Sequence, residues 1–367
     1  MRVIPVEDLR PNIELALDIL DNQGNILLSK GTILTAIQIQ KLRSANIGYA
    51  YITDKYSFTN HVSYTAKPEN IAAKMGVIRT TIESIANQVN VAANITQGLK
   101  LIKELTDELD DQKYSMKLEF EPSRYANDEN FETNLYVSMM STLFALKMGF
   151  SKGYATKVCL GSILRDIAIF SPSFEGKYNA KDKKHPKAGY EHMKAQYNFP
   201  DEVLDIIVQH HELHDGKGFP RQLEGDEICP GAKIIPIVEA FYALQSLYIK
   251  QTSCHSLEKN YRNRLSHFDP NYVNFFLNHV NIFAPDTLVM LNTNDVAIII
   301  TPHEDDPLKL IQAKFGKGKN AQIEATVNPF RPTVKILQSV HFEEGTTIDL
   351  FATPNMDISK VLYYADI

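Results

Sequence analysis

The chain has 367 residues, enough at roughly 100 to 200 residues per domain for two or three domains with a core that needs no disulfide or metal staple. Hydrophobic residues make up 44% and charged residues 22%, which excludes a disordered or fibrous chain. A net charge of -6 excludes wholesale neutralisation of duplex nucleic acid, while a local basic pocket for a small anion stays open. Cys159, Cys229 and Cys254 are far apart and form neither a CxxC clip nor an even disulfide set. The opening MRVIPVEDLRPN lacks the regions of a secretory signal, and no run of roughly 18 uncharged apolar residues follows. The expectation is a cytoplasmic protein that spans no membrane.

In chain order, Leu15 to Leu20 and Ile26 to Leu28 flank the turn Asp21-Asn22-Gln23-Gly24-Asn25 and predict a hairpin. A short helix over Ala36 to Ser44 and a strand over Tyr49 to Thr53 complete a small α+β N-terminal domain, residues 1–55. Residues 56–118 read as a helical connector, with Ile71, Ile78, Ile82, Ile85 and Val89 on one apolar face. Residues 119–282 are mainly helical, with segments over Thr133 to Met148, Lys157 to Phe170 and Pro200 to His211. Residues 283–367 form a β-rich C-terminal extension, with strands over Leu288 to Leu291, Val296 to Ile300, Val334 to Leu337 and Ile348 to Phe351.

The stretch His210-His211-Glu212-Leu213-His214-Asp215-Gly216-Lys217-Gly218-Phe219-Pro220 carries the strongest chemical signal. By helical phase His210 shares a face with Val203, Ile206 and Ile207, and His211 lies above Leu204, Ile207 and Val208. Both imidazoles then point toward the core, where a metal or carboxylate partner is needed. A zincin motif fails, because the residue four after His211 is Asp215. The bland alternative is a pair of core histidines satisfied by backbone carbonyls, and the neighbouring Glu212 and Asp215 weigh against it.

Glu239 is the only formal charge between Lys233 and Lys250, so a buried carboxylate there requires a cation. Otherwise it forms an exposed stripe on an apolar helix. Asp166, in Ile163-Leu164-Arg165-Asp166-Ile167-Ala168-Ile169, raises the same question, with Arg165 a neighbour that points the other way on a continuous helix. Gly316-Lys317-Gly318-Lys319 lacks the remaining features of a P-loop and reads as a solvated basic loop. His279, His303 and His341 read as isolated surface or packing residues.

The segment His210 to Pro220 resembles the HD-GYP signature H-H-E-x-x-D-G-x-G-Y-P, with Phe219 in place of the tyrosine. His185-Pro186-Lys187-Ala188-Gly189 is similar to the family's H-P-x-x-G, and Ala232 to Ser246 to its V-A-D-x-Y-D-A-L-T-S segment, which sets Glu239 at a metal-binding aspartate. Val3 to Ile52 resembles the small domain often preceding HD-GYP domains, and Asn328-Pro329-Phe330-Arg331-Pro332 their usual tail. Only the connector and an insertion around residues 303 to 322 fall outside the resemblance.

The resemblance implies a multidomain protein with a mainly α-helical HD-type core, and cleavage of cyclic di-GMP or a related cyclic dinucleotide at an iron- or manganese-type cluster. Carried across, the metal ligands are Asp166, His185, His210, His211 and Glu239, with Glu129 a weaker one, and Asp166, Glu212 and Asp215 fall at catalytic positions. Four positions depart from the pattern. Thr133 and Arg165 replace histidines, Ile169 replaces a phosphate-facing lysine, and Phe219 replaces the tyrosine. Tyr248 and Gln251 stand where relatives often have phosphate-binding arginines.

Arginine cannot serve as a neutral ligand, and its fixed charge neutralises Asp166 or Glu239 while repelling a divalent ion. The expected cofactor is therefore one divalent metal such as iron or manganese, or none. The expected function is cyclic di-GMP signalling by nucleotide or partner binding with weak or no hydrolysis, the alternative being an active phosphodiesterase. Expected partners are a cyclic dinucleotide, other signalling proteins such as diguanylate cyclases, and a second copy of the chain.

Overall fold

The computed structural model describes residues 1–21, 25–58, 68–89, 91–122, 129–170, 178–251, 253–254, 256–300 and 328–365. The turn residues 22–24, His303, the basic loop at 316–319 and the insertion around 303 to 322 lie outside them.

The chain opens with strands β1 (Arg2–Pro5), β2 (Glu14–Leu15), β3 (Ile19–Leu20) and β4 (Ile26–Leu28), helix α1 (Ala36–Ser44) and strand β5 (Tyr49–Thr53). Strand β5 lies between β1 and β2 in an antiparallel sheet, and β3 pairs with β4 as the expected hairpin. Helix α1 starts where the sequence places it because Thr35 and Gln38 form a reciprocal capping box, the Thr35 hydroxyl accepting from the Gln38 N–H at 3.3 Å and the Gln38 Oε1 from the Thr35 N–H at 2.9 Å. Ile4, Leu15, Leu34, Ile39, Leu42 and Ile52 close this unit around its own small core.

Helices α2 (Pro68–Asn87) and α3 (Val91–Gln112) follow, then the short strand β6 (Leu118–Glu119). Ile78, Ile82 and Ile85 are buried in the main core together with Ile102, Leu105 and Leu109, so this pair packs onto the helices that follow it. Val89 lies beyond the end of α2 and is exposed. The side chain of Ile71 is outside the described residues.

The central helices are α4 (Glu129–Lys147), α5 (Lys152–Leu164), α6 (Ile167–Phe170), α7 (His185–Gln196), α8 (Asp201–Gln209), α9 (Pro230–Gln251), α10 (Leu257–Leu265) and α11 (Pro270–His279). The single helix expected over Lys157 to Phe170 is thus broken at Arg165-Asp166, and α8 stops short of His211. The break lets Arg165 and Asp166 share a side, which a continuous helix would forbid. The Pro230–Ile249 stretch of α9 is long and apolar enough to cross a membrane by composition, but 61% of it is buried inside the fold, as befits a core helix. Tyr248 of α9 is buried, stacks on Tyr261 and accepts a hydrogen bond from Asn260, so it faces the core rather than a phosphate; the Gln251 side chain is outside the described residues.

After strand β7 (Val280–Asn281), which pairs in parallel with β6, come β8 (Leu288–Leu291), β9 (Val296–Ile299), β10 (Thr333–Gln338), β11 (Thr347–Asp349) and β12 (Ile358–Leu362). The last five form one antiparallel sheet in the order β11-β10-β9-β8-β12. Its faces separate by the two-residue strand period. Ala297 and Ile299 join the main core, while Val296 and Ile298 pack with Leu288 and Ala365 on the other side. Arg331 fastens the preceding loop by donating to the carbonyls of Leu350, Thr353 and Met356.

The site rests on the way α8 is seated. Ile206 of α8 fits between Gly161 of α5 and Gly231 of α9, where an added Cβ would come to 2.7 Å and 2.5 Å of its side-chain carbons. Gly161→Ala is expected to destabilise the protein by about 1–3 kcal/mol through overpacking, read as a lower urea midpoint with an unchanged slope.

Candidate functional site

Four helix ends and one helix middle meet at a single point. Arg165 and Asp166 fill the break between α5 and α6, His185 opens α7, His210 and His211 follow α8, and Glu239 projects from the middle of α9. The structure brings together Asp166, His185, His210 and His211 as expected, with Glu239 joined to them through Arg165.

His185 and His210 are completely buried. The His185 Nδ1 lies 2.6 Å from the Asp182 carbonyl oxygen, and the His210 Nδ1 lies 2.8 Å from that of Ile207. A carbonyl can only accept, so each Nδ1 carries the proton and each Nε2 presents a lone pair in the neutral ring. These two Nε2 atoms face each other at 3.3 Å, with Asp166 Oδ1 at 3.4 Å from one and 3.7 Å from the other. Three acceptors converging out of water need a positive charge among them, either a metal ion or a proton on an imidazole. His211 supplies a third ring, and ligand atoms of the three histidines lie within 4.8 Å of one another. Burial, reinforced by His210 and His185, pushes His211 down to about 2, so it stays neutral at physiological pH. This donor set of imidazoles and one carboxylate fits a divalent ion of the iron or manganese type.

The opposite side of Asp166 is held by a fixed cation. Arg165 is 4% exposed, and its Nε lies 2.7 Å from Glu239 Oε1 and 3.3 Å from Asp166 Oδ2. Its Nη1 donates at 2.7 Å to the Ser162 carbonyl, one of the acceptors left free at the end of α5. Burial works to raise the Asp166 carboxyl, but Arg165 and the two histidines outweigh it and hold the group well below the usual carboxylate range. Glu239 is neither fully buried nor a free stripe: it is 26% exposed and paired.

Other expected site residues have different surroundings. Glu212 is buried, and its two oxygens accept from the backbone N–H groups of Arg221 at 2.7 Å and Leu223 at 3.0 Å. Asp215 pairs with Lys217 and with His267 Nδ1, each at 2.8 Å, and these contacts hold its carboxyl well below the usual range. Both carboxylates therefore brace the loop after α8 rather than joining the histidine trio. The loop's glycines have separate reasons: Gly216 has φ +73°, and a Cβ on Gly218 would strike the Leu213 nitrogen at 2.3 Å.

Phe219 stacks on His211 with centroids 4.7 Å apart, and the Lys183 ammonium stands 5.8 Å above the Phe219 ring. Thr133 on α4 and Ile169 on α6 are half-buried. Glu129 opens α4, but its side chain is outside the described residues. Sequence reasoning missed the carbonyls of Asp182 and Ile207, which fix the imidazole orientation, and His267, which no motif marks. His279 is a packing residue, stacked on Phe275.

Replacing Arg165 tests this electrostatic frame. Arg165→Ala strands two partly buried carboxylates and is expected to cost about 3 kcal/mol. Because the folded Asp166 carboxyl lies below its unfolded value near pH ~4, its stabilisation is complete above that pH and fades as pH falls through the folded value. Without Arg165 the fade begins at higher pH, so acid unfolding followed by circular dichroism should shift upward. An unchanged acid midpoint would contradict the shared-cation geometry.

The chain is similar to several known proteins, and one of the matches falls on this region. Residues 178–272 match the family model described as HD domain. The chain is 38% identical over 65 residues to the cyclic di-GMP phosphodiesterase response regulator RpfG of Xanthomonas campestris, covering 17% of each protein. It is 24% identical over 123 residues to a cyclic di-GMP phosphodiesterase of Pseudomonas aeruginosa, covering 33% of this chain and 30% of that one. A 3'3'-cGAMP-specific phosphodiesterase of Vibrio cholerae is 29% identical over 116 residues, 29% of this chain and 22% of the relative. The matched segments thus span less than a third of the length of these relatives. A solved structure of an HDG"Y"P protein from Bdellovibrio bacteriovorus aligns with a TM-score of 0.45 and 16% identity over 75% of this chain and 97% of its own. The HD-domain match runs across His185, His210, His211 and the loop to Pro220, so residues 178–272 carry an HD domain, and the chain is similar over part of its length to cyclic-dinucleotide phosphodiesterases.

Proposed function

We propose that this is a cyclic-dinucleotide signalling protein whose HD-type site holds at most one metal ion and which acts by binding nucleotide or a partner, with weak or no hydrolysis. The supporting observation is the placement of the Arg165 guanidinium against both Asp166 and Glu239. A fixed positive charge there neutralises two carboxylates and repels a second divalent ion. Asp166, His185, His210 and His211 are the residues that would hold one ion, and a bound ion would supply Lewis-acid polarisation of a phosphoryl oxygen.

The chain's own residues then have distinct tasks. His185 and His210 are pre-oriented by backbone carbonyls, so little freedom is lost when their Nε2 lone pairs are used. Arg165 keeps Asp166 ionised and pairs with Glu239, and it turns both carboxylates away from a second ion. Phe219 covers the His211 ring and shields it from water. At Ile169 an aliphatic side chain offers no cation for a developing phosphate charge, and removal of one such contact typically costs about a hundredfold in rate.

An active phosphodiesterase remains the competing reading because the histidine trio and Asp166 are intact. Elemental analysis of protein purified without chelator should find no more than one transition-metal equivalent per chain. Two or more would refute the proposed charge arrangement. Turnover of cyclic di-GMP, measured anaerobically with iron or manganese beside Asp166→Ala and His210→Ala controls, should be slow or absent; robust hydrolysis lost in both variants would establish the phosphodiesterase reading instead.

A further inference from the structure

A cavity of about 90 Å³ lies where the N-terminal unit, the central helices and the C-terminal sheet meet. The cations on its wall are already matched, the Met1 ammonium with Asp286 at 3.4 Å and Arg2 with Asp54, so it selects no charged ligand. Charge without a partner gathers instead beside the histidine site. Lys181, Lys183 and Lys184 precede α7, all three are exposed, and none makes an ion pair among the described residues. Asp182, the acid between them, turns one carboxylate oxygen to the Lys184 N–H at 3.0 Å.

Phe219 connects these lysines to the site. Its ring is half-buried and stacks on His211 with an interplanar angle of 28°, so one face is taken. The exposed Lys183 side chain brings its ammonium over the ring, 5.8 Å from the centre. An ammonium that reaches the ring from solvent marks the side on which the ring is open. A cation–ring contact between exposed groups is weak and readily exchanged. Phenylalanine carries no polar handle, so the open face offers stacking and no hydrogen bond. A lysine cluster repels cationic ligands and attracts phosphate, while an aromatic face takes the flat ring of any base; together they are the combination that holds nucleotides.

We propose that the open face of Phe219 is the platform on which one nucleobase of a cyclic dinucleotide stacks, and that Lys183, displaced from the ring by the base, turns to a phosphate of the same ligand. This assignment rests on the nucleotide-binding reading of the histidine site. It deepens that reading by supplying a phosphate-facing cation from the segment before α7, in a site whose Ile169 on α6 offers none. The base lies one stacked layer beyond His211, next to a phosphate held at the histidines.

Calorimetric titration of the full chain, as purified, with cyclic di-GMP tests the assignment. Wild-type protein should bind saturably, and Phe219→Leu should bind about tenfold more weakly. Phe219→Tyr, which keeps the aromatic face, should stay within about threefold of wild type. Lys183→Ala should flatten the fall of affinity from low to high salt, because an exposed phosphate contact is screened. Undiminished binding by Phe219→Leu, equal losses in Phe219→Leu and Phe219→Tyr, or a salt dependence unchanged in Lys183→Ala would each overturn the platform alone. Absence of saturable binding by the wild type would overturn the platform and the nucleotide reading together. Should Phe219→Leu fail to fold, an intermolecular nuclear Overhauser effect between the guanine ring proton and the Phe219 ring protons of the wild type decides it, its presence supporting the platform and its absence overturning it.

Discussion

A guanidinium that never loses its proton stands between Asp166 and Glu239, and the rest of the site is arranged around that charge. It needs the interruption between α5 and α6, because only there can consecutive residues turn to the same side. It also needs α9 to pass close enough for Glu239 to reach it, which the glycine contacts around Ile206 allow by drawing α5, α8 and α9 together. On the far side of Asp166, His185 and His210 keep their Nε2 lone pairs directed inward, and His211 stands beside them. One carboxylate is consequently shared between a permanent cation on one flank and a donor set suited to a removable cation on the other. The two flanks place opposite demands on Asp166: Arg165 fixes its charge, and the histidines make that charge useful to an ion.

Much of this architecture could be read from local chemistry. The capping residues Thr35 and Gln38 mark the start of α1, and the run from His210 to Pro220 marks the site because its glycines and carboxylates are individually required by the loop. Less legible were features that depend on distant backbone. Nothing near Glu212 announces that its oxygens accept from the backbone of Arg221 and Leu223 and so brace the loop. Arg165 looked misdirected because helical phase assumes a helix that continues, whereas this one stops. The apolar face read along α2 extended to Val89 because periodicity carries no information about where a helix ends. Strand β12 escaped notice because Ser359 and Lys360 interrupt its apolar character, and its place is set by pairing with β8.

The same contrast separates the histidine site from the cavity beside Arg2. Chemistry at the histidine site comes from residues clustered in a few short segments, so a motif can announce it. The cavity beside Arg2 is assembled from opposite ends of the chain, from Arg2 to Tyr363, and no local pattern could encode it. Burial of an arginine so near the start of the sequence makes sense only once Asp54 and the Tyr363 carbonyl come to meet it.

Strands β6 and β7 pair in parallel on either side of the central helices, at Leu118–Glu119 and Val280–Asn281. The segments that flank helices α4 to α11 are thereby brought together, and Phe120, Asn281 and Ile282 beside that pairing are also walls of the cavity. Helix α9 runs from that point, through Ile249 and Gln245, toward Glu239, a distance of about 9–15 Å at 1.5 Å per residue. One unbroken stretch of helix thus joins the cavity wall to the carboxylate that meets Arg165.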